Sequence, residues 1–95
     1  MAEQGIRFEQ RVSVPAHVLF RELDGEAVML NLEDESYFGL DAVGTRMWVV
    51  LEGSPTIGEA HKKLLAEYEV DGEQLANDMI ELVQALQEQG LVVVE

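Results

Sequence analysis

Val18-Leu19-Phe20-Arg21-Glu22-Leu23-Asp24-Gly25-Glu26-Ala27-Val28-Met29-Leu30-Asn31-Leu32 is the stretch from which the fold follows. Two β-prone runs flank Asp24-Gly25, and such a pair is the strongest short-range signal of a β-hairpin, because the tight turn needs positive φ at its central residues. An acidic turn, Glu33-Asp34-Glu35-Ser36, leads into Tyr37-Phe38-Gly39-Leu40, a short third strand. Three consecutive strands with short connections make an antiparallel meander. In its second strand Val28, Leu30 and Leu32 share one face and Ala27, Met29 and Asn31 the other, so one side is drier and needs a helical cover.

The remainder of the chain supplies helices. Asp41 is placed to cap a first one, in which Val43, Met47, Val50 and Leu51 recur at helical spacing until Gly53-Ser54-Pro55 stops it. Thr56 with Glu59 reads as a capping box opening a second helix, with the apolar stripe Ile57, Ala60, Leu64, Leu65 and Tyr68. Asp71 and Gln74 repeat the arrangement for a third, which runs to Gln89 with Gly90 at its C′ position. Leu91-Val92-Val93-Val94 is β-branched enough for a final strand or an extended segment on the core. The fold class is α+β, a three-stranded antiparallel sheet followed by three helices.

Upstream of the hairpin, residues 1–14 show no sustained period and Pro15 closes them off, so they read as an N-terminal arm with room for a short strand. Residues 15–95 form one domain. The chain carries 19 acidic against 6 basic residues, a formal charge of −13, which repels nucleic acid and anionic lipid; it would speed the approach of a cationic peptide, but the simpler reading is a surface that keeps the protein in solution. It has no cysteine, which removes disulfides, thiolate metal sites and a cysteine nucleophile, and fits a cytoplasmic address. Nothing in the sequence has the length and apolarity of a membrane span or the pattern of a signal peptide.

Catalytic signals are missing. His17 and His61 lie far apart in different elements and read as surface residues. Glu33-Asp34-Glu35 lacks the spacing and central glycine of a calcium loop and reads as a solvated turn. Ser13, Ser36 and Ser54 sit in no nucleophile-elbow context. No cofactor is expected, and a unit of this size has little volume left for an enclosed active site.

Binding through secondary structure is what remains. The third strand of the meander, Tyr37 to Leu40, sits at an edge whose unpaired backbone groups can take an extended peptide as an added strand, unless the final Val92–Val94 segment or the N-terminal arm covers it. In the third helix Leu75, Met79, Leu82 and Leu86 together with Ala76, Ile80 and Val83 spread over roughly 160°, wider than one buried face needs. Either one margin of that arc is spare, or this helix is central and buried on two sides.

The run from Pro15 through the hairpin, then Tyr37-Phe38-Gly39-Leu40-Asp41-Ala42-Val43-Gly44-Thr45-Arg46-Met47-Trp48, and Asp78 in a helix ending at Gly90-Leu91, closely resembles the PqqD-like domains. These are precursor-peptide recognition elements for ribosomally synthesised, post-translationally modified peptides. The resemblance covers roughly residues 12–95 and is greatest to the stand-alone leader-binding proteins of lasso-peptide pathways. It implies a winged-helix-like fold, no catalysis, and a precursor leader peptide bound as a strand beside the third strand, in a groove against the third helix. Carried onto this chain, Ser36, Tyr37, Phe38, Gly39 and Leu40 would form the ladder. Met79, Leu82, Val83 and Leu86, extended by Leu75, would line an apolar wall, and Asp78 would be the polar contact. Gly44 and Trp48 are better read as packing residues. The resemblance also implies a separate cysteine-protease-like leader peptidase as the partner that receives the leader, which typically supplies an aromatic, a proline and a leucine as anchors.

Two rivals are weaker. A winged-helix regulatory or interaction module is permitted by fold analogy, but the third helix carries Glu73, Asp78, Glu81 and Glu88 and no lysine or arginine for a phosphate or a base. An acidic carrier protein needs a serine at a helix start, where this chain has Asp41-Ala42-Val43.

Overall fold

In a computed structural model that describes residues 6–95, the hairpin strands are β2 (Val18–Leu23) and β3 (Glu26–Asn31), preceded by a short β1 (Val12–Ser13). Asp24 and Gly25 both have positive φ, 56° and 84°, as the two-residue turn requires. β4 (Ser36–Leu40) completes the sheet in the order β2-β3-β4. Three helices follow, α1 (Ala42–Glu52), α2 (Ile57–Glu67) and α3 (Gly72–Glu88), and then β5 (Val93–Val94). The expected α+β meander with three helices is what the chain forms.

The drier face of the sheet is the one carrying Ala27, Met29 and Asn31, although Val28, Leu30 and Leu32 are the more apolar set. Register explains the choice. Met29 pairs with Phe20 on one side and Phe38 on the other, and Ala27 pairs with Leu40, so this face assembles the bulky residues over which α1 packs. Met29, Trp48, Leu51, Ile57, Leu64, Met79, Leu86 and Leu91 are essentially fully buried, each stabilising the fold by about 1.5–3 kcal/mol. Asn31 is admitted because its amide is occupied: Oδ1 accepts from the Glu33 N–H at 3.0 Å, and Nδ2 reaches the Gln89 carbonyl at 3.5 Å.

Local chemistry sets the helix ends. Asp41 Oδ1 accepts from the Gly44 N–H, Thr56 Oγ1 from the Glu59 N–H, and Asp71 Oδ2 from the Gln74 N–H. The capping boxes close on one side only: the Gln74 amide turns to Asp78 Oδ1 at 2.9 Å, and the Glu59 carboxylate lies 3.8 Å from Lys62 Nζ. Gly90, at φ 73°, terminates α3 with the paired bonds Leu91 N–H to Leu86 O and Gly90 N–H to Gln87 O, a Schellman end. Arg46 makes a two-pronged ion pair with Glu67 between α1 and α2, which raises the guanidinium pKa and lowers that of the carboxylate.

The described part of the expected arm is bonded into the domain, while residues 1–5 of it lie outside the described residues. The Phe8 and Gln10 carbonyls accept from the Gly58 and Ile57 N–H groups and so satisfy the first turn of α2. β1 pairs antiparallel with β5 in a small second sheet. His61 is half-buried rather than a plain surface residue; its Nε2 donates to the Gly72 carbonyl at 2.8 Å and ties α2 to the start of α3.

Candidate functional site

The pairing of β1 with β5 bears on the question left open by the sequence, because among the described residues neither terminal segment pairs with β4. Among the described residues β4 has a strand on one side only. The phase of the ladder says which backbone groups are free. The Leu32 N–H donates to the His17 carbonyl at 2.8 Å, so Leu32, Leu30, Val28 and Glu26 point their backbone toward β2, while Asn31, Met29 and Ala27 point toward β4. Their partners Phe38 and Leu40 are thereby used inside the sheet, while the Ser36 N–H turns to Asp34. Tyr37 and Gly39 turn their N–H and C=O groups to the open edge, two donors and two acceptors at the spacing of an added strand.

The acidic turn holds the start of this edge in place. Asp34 Oδ1 accepts from both the Ser36 N–H at 3.0 Å and the Ser36 hydroxyl at 2.6 Å, and these bonds hold the Asp34 carboxyl below its ordinary pKa. A lowered carboxyl pKa in the folded state adds stability above the unfolded value, near 4, and that stability is lost as pH falls through the folded value. The Ser36 amide resonance is therefore expected to titrate with a midpoint below the usual aspartate value. Asp34→Ala should abolish that titration and speed hydrogen exchange at Ser36; an unchanged amide would contradict the role given to Asp34.

Beside the edge, on the core side of the sheet, lies a groove of about 390 Å³ lined by Phe38 from β4, Asp41, Val43, Gly44 and Met47 around the start of α1, and Asp78, Glu81, Leu82 and Ala85 from α3. Val43, Met47 and Asp78 also line an adjoining apolar pocket of about 180 Å³, closed by Tyr68, Val70, Gln74 and Leu75. Val43 and Val70 are about half exposed, at 52% and 49%, which marks this as unsatisfied apolar surface. The polar groups of the groove are carboxylates, Asp41, Asp78 and Glu81, with no basic residue among them.

The broad arc of α3 resolves into a core seam and two shoulders. Leu75, Met79, Val83 and Leu86 form the seam, and α1, not α3, is the helix packed between the sheet and α2. Met79, Val83 and Leu86, expected on the wall, have no exposed surface in this structure and stand behind the groove as core. Leu82 and Asp78 do reach it, and Leu75 lines the adjoining pocket. Trp48 is fully buried as expected, while Gly44 also borders the groove, where a Cβ would sit 3.2 Å from Asp41 Oδ1. Sequence reading missed Val43, Met47, Glu81, Ala85, Tyr68 and Val70 as groove residues; the i, i+4 pair Val43 and Met47 beside a cap was the available signal. No group of three His, Asp or Glu side chains is placed to hold a metal ion among the described residues.

None of the curated proteins matches the chain. Among solved structures, TbiB1 in complex with the TbiA(beta) leader peptide is 35% identical, covers 83% of this chain and 92% of that one, and superposes with a TM-score of 0.77. Lasso peptide synthetase B1 complexed with the leader peptide superposes with a TM-score of 0.70 over 87% of this chain and 98% of that one; at 23% identity this likeness concerns the fold alone. Residues 26–92, from the hairpin turn through β5's approach, match the family described as coenzyme PQQ synthesis protein D, and with more than two thirds of its length matched the chain belongs to the PqqD family.

Proposed function

We propose that the chain is a non-catalytic recognition element that binds the leader segment of a ribosomally made precursor peptide, of the lasso-peptide type, as a fourth strand on β4 and presents it to a separate processing enzyme, a cysteine-protease-like leader peptidase. The observation that carries this is the coincidence of the open β4 edge with the groove beside it. A strand added at Tyr37 and Gly39 sends alternate side chains into that groove. Support also comes from the neighbour of 35% identity, whose structure contains a leader peptide.

The energies are sufficient. Four ladder bonds at about 1 kcal/mol each, with two or three apolar anchors at about 1.5–3 kcal/mol each, exceed the roughly 2–5 kcal/mol needed to order a flexible segment. Phe38, Val43, Met47, Leu82 and the pocket under Tyr68 and Val70 receive the anchors, and Asp41, Asp78 and Glu81 favour a basic side chain at the polar positions. Calorimetric titration with a synthetic leader from the precursor encoded beside this chain tests the proposal. One-to-one binding with a negative heat-capacity change, weakened by added salt, is expected; absence of binding would overturn it.

A further inference from the structure

Among the described residues the opposite face of the sheet is uncovered, and it holds a broad open hollow. Cross-strand pairing sets Leu19, Leu30 and Tyr37 in one row and Arg21, Val28 and Gly39 in the next. Leu19, Leu23, Leu32 and Tyr37 are 41%, 78%, 57% and 72% exposed, half of the large apolar residues left at the surface among the described residues; Val43, Tyr68 and Val70 belong to the leader groove. Over the bare backbone of Gly39 and the side chain of Val28 opens a hollow of about 620 Å³, walled by Arg21, Leu23, Glu26 and Asp41. A Cβ at Gly39 would meet no atom within 4 Å, so the space above this backbone is open.

Charge decides between occupants. Glu33, Asp34 and Glu35 border one end of the face, and Asp24, Glu26 and Asp41 the other, on a chain of net charge −13. Two copies packed face to face would bring acidic ends together, which opposes a homodimer. A separate protein with an apolar prominence ringed by lysine and arginine is complementary. The face is also continuous with the open edge, since a strand added to β4 would extend the sheet and lay every second side chain onto this surface.

We infer that the outer face of the β2-β3-β4 sheet, centred on the hollow over Gly39 and Val28, is the docking surface for the processing enzyme, through a basic-rimmed apolar patch of that enzyme. This rests on the leader-binding reading for the identity of the partner, and it makes the docked surface a composite of domain and leader. Presentation then needs no release of the peptide. The enzyme meets the leader where it leaves the sheet.

The test measures binding of the purified leader peptidase encoded with the precursor to this chain, with and without leader, for the parent, Leu23→Lys and Leu23→Glu. Leu23 makes no contact with the leader groove and is largely exposed, so both variants should fold and bind leader as the parent does. Leu23→Lys is expected to weaken enzyme binding roughly tenfold or more and by more than Leu23→Glu, because lysine adds like-charge repulsion to the lost apolar contact. Leader should strengthen enzyme binding to the parent. Parent-level enzyme affinity in both variants, a larger loss with glutamate, or a parent that does not bind the enzyme at all would overturn the inference. So would a leader-independent dimer in sedimentation that Leu23→Lys dissolves. Leader binding that survives while the enzyme ignores the face sinks the docking inference alone; enzyme binding lost in Leu23→Lys by a chain that binds no leader sinks the leader reading alone.

Discussion

Replacing Gly39 by proline is expected to weaken leader binding by about 5- to 30-fold while leaving the helices and the β3–β4 ladder intact. Proline removes the backbone donor and fixes φ near −65°, which an edge strand tolerates when the lost N–H faces outward. At Gly39 it does face outward, so the change deletes one ladder bond, about 1 kcal/mol, and sets a ring where the added strand must approach. Gly39→Ala retains the donor and finds open space for its methyl group, so its effect on leader affinity should be small. Phe38→Pro supplies the contrast, because the Phe38 N–H points at Met29 inside the sheet and its removal should destabilise the domain itself. Titration calorimetry and thermal unfolding of the three variants separate these outcomes. Equal loss of binding in Gly39→Ala and Gly39→Pro would mean that the side of the strand, rather than its donor, matters.

Met79→Ala is expected to cost the fold about 2–5 kcal/mol, a melting temperature lowered by roughly 10 °C or more, with leader affinity of the still-folded fraction close to that of the parent. Met79 has no exposed surface and sits in the α3 seam, so truncation leaves a cavity behind the groove and not in it. Leu82→Ala should do the reverse. Leu82 is half-buried on the shoulder that lines the groove, so stability changes little while the leader loses an apolar contact worth about 1–2 kcal/mol. Chemical denaturation and leader titration on both variants give four numbers. Similar losses of affinity in the two would put Met79 back on the binding surface.

These two sites also mark where sequence reading reached its limit. The hairpin was legible because Asp24-Gly25 has one good use, and the helix starts were legible because Asp41, Thr56 and Asp71 stand before apolar periods. The buried face of β3 was not, because Val28 and Leu30 look more apolar than Ala27 and Asn31; cross-strand partners decide that, and they are long-range. The same holds for α3. A 160° arc from periodicity cannot separate a seam from its shoulder, and it groups Val83 with Leu82 on the wall although only Leu82 borders the groove and Val83 is core. The near half of the groove, Val43 and Met47 with Tyr68 and Val70, was hidden for a related reason: at helical spacing an apolar residue facing a groove and one facing the core give the same signal. The freedom of the β4 edge depended on β5 finding β1, a contact between the two ends of the chain.

Amide hydrogen exchange along β4, with and without leader peptide, tests the central claim most directly. Phe38 and Leu40 donate within the sheet and should exchange slowly in both states, whereas Tyr37 and Gly39, open in the free protein, should become protected only when leader is present. Slow exchange at Tyr37 and Gly39 in the free chain, or saturation with leader that leaves both fast, would contradict strand addition at this edge.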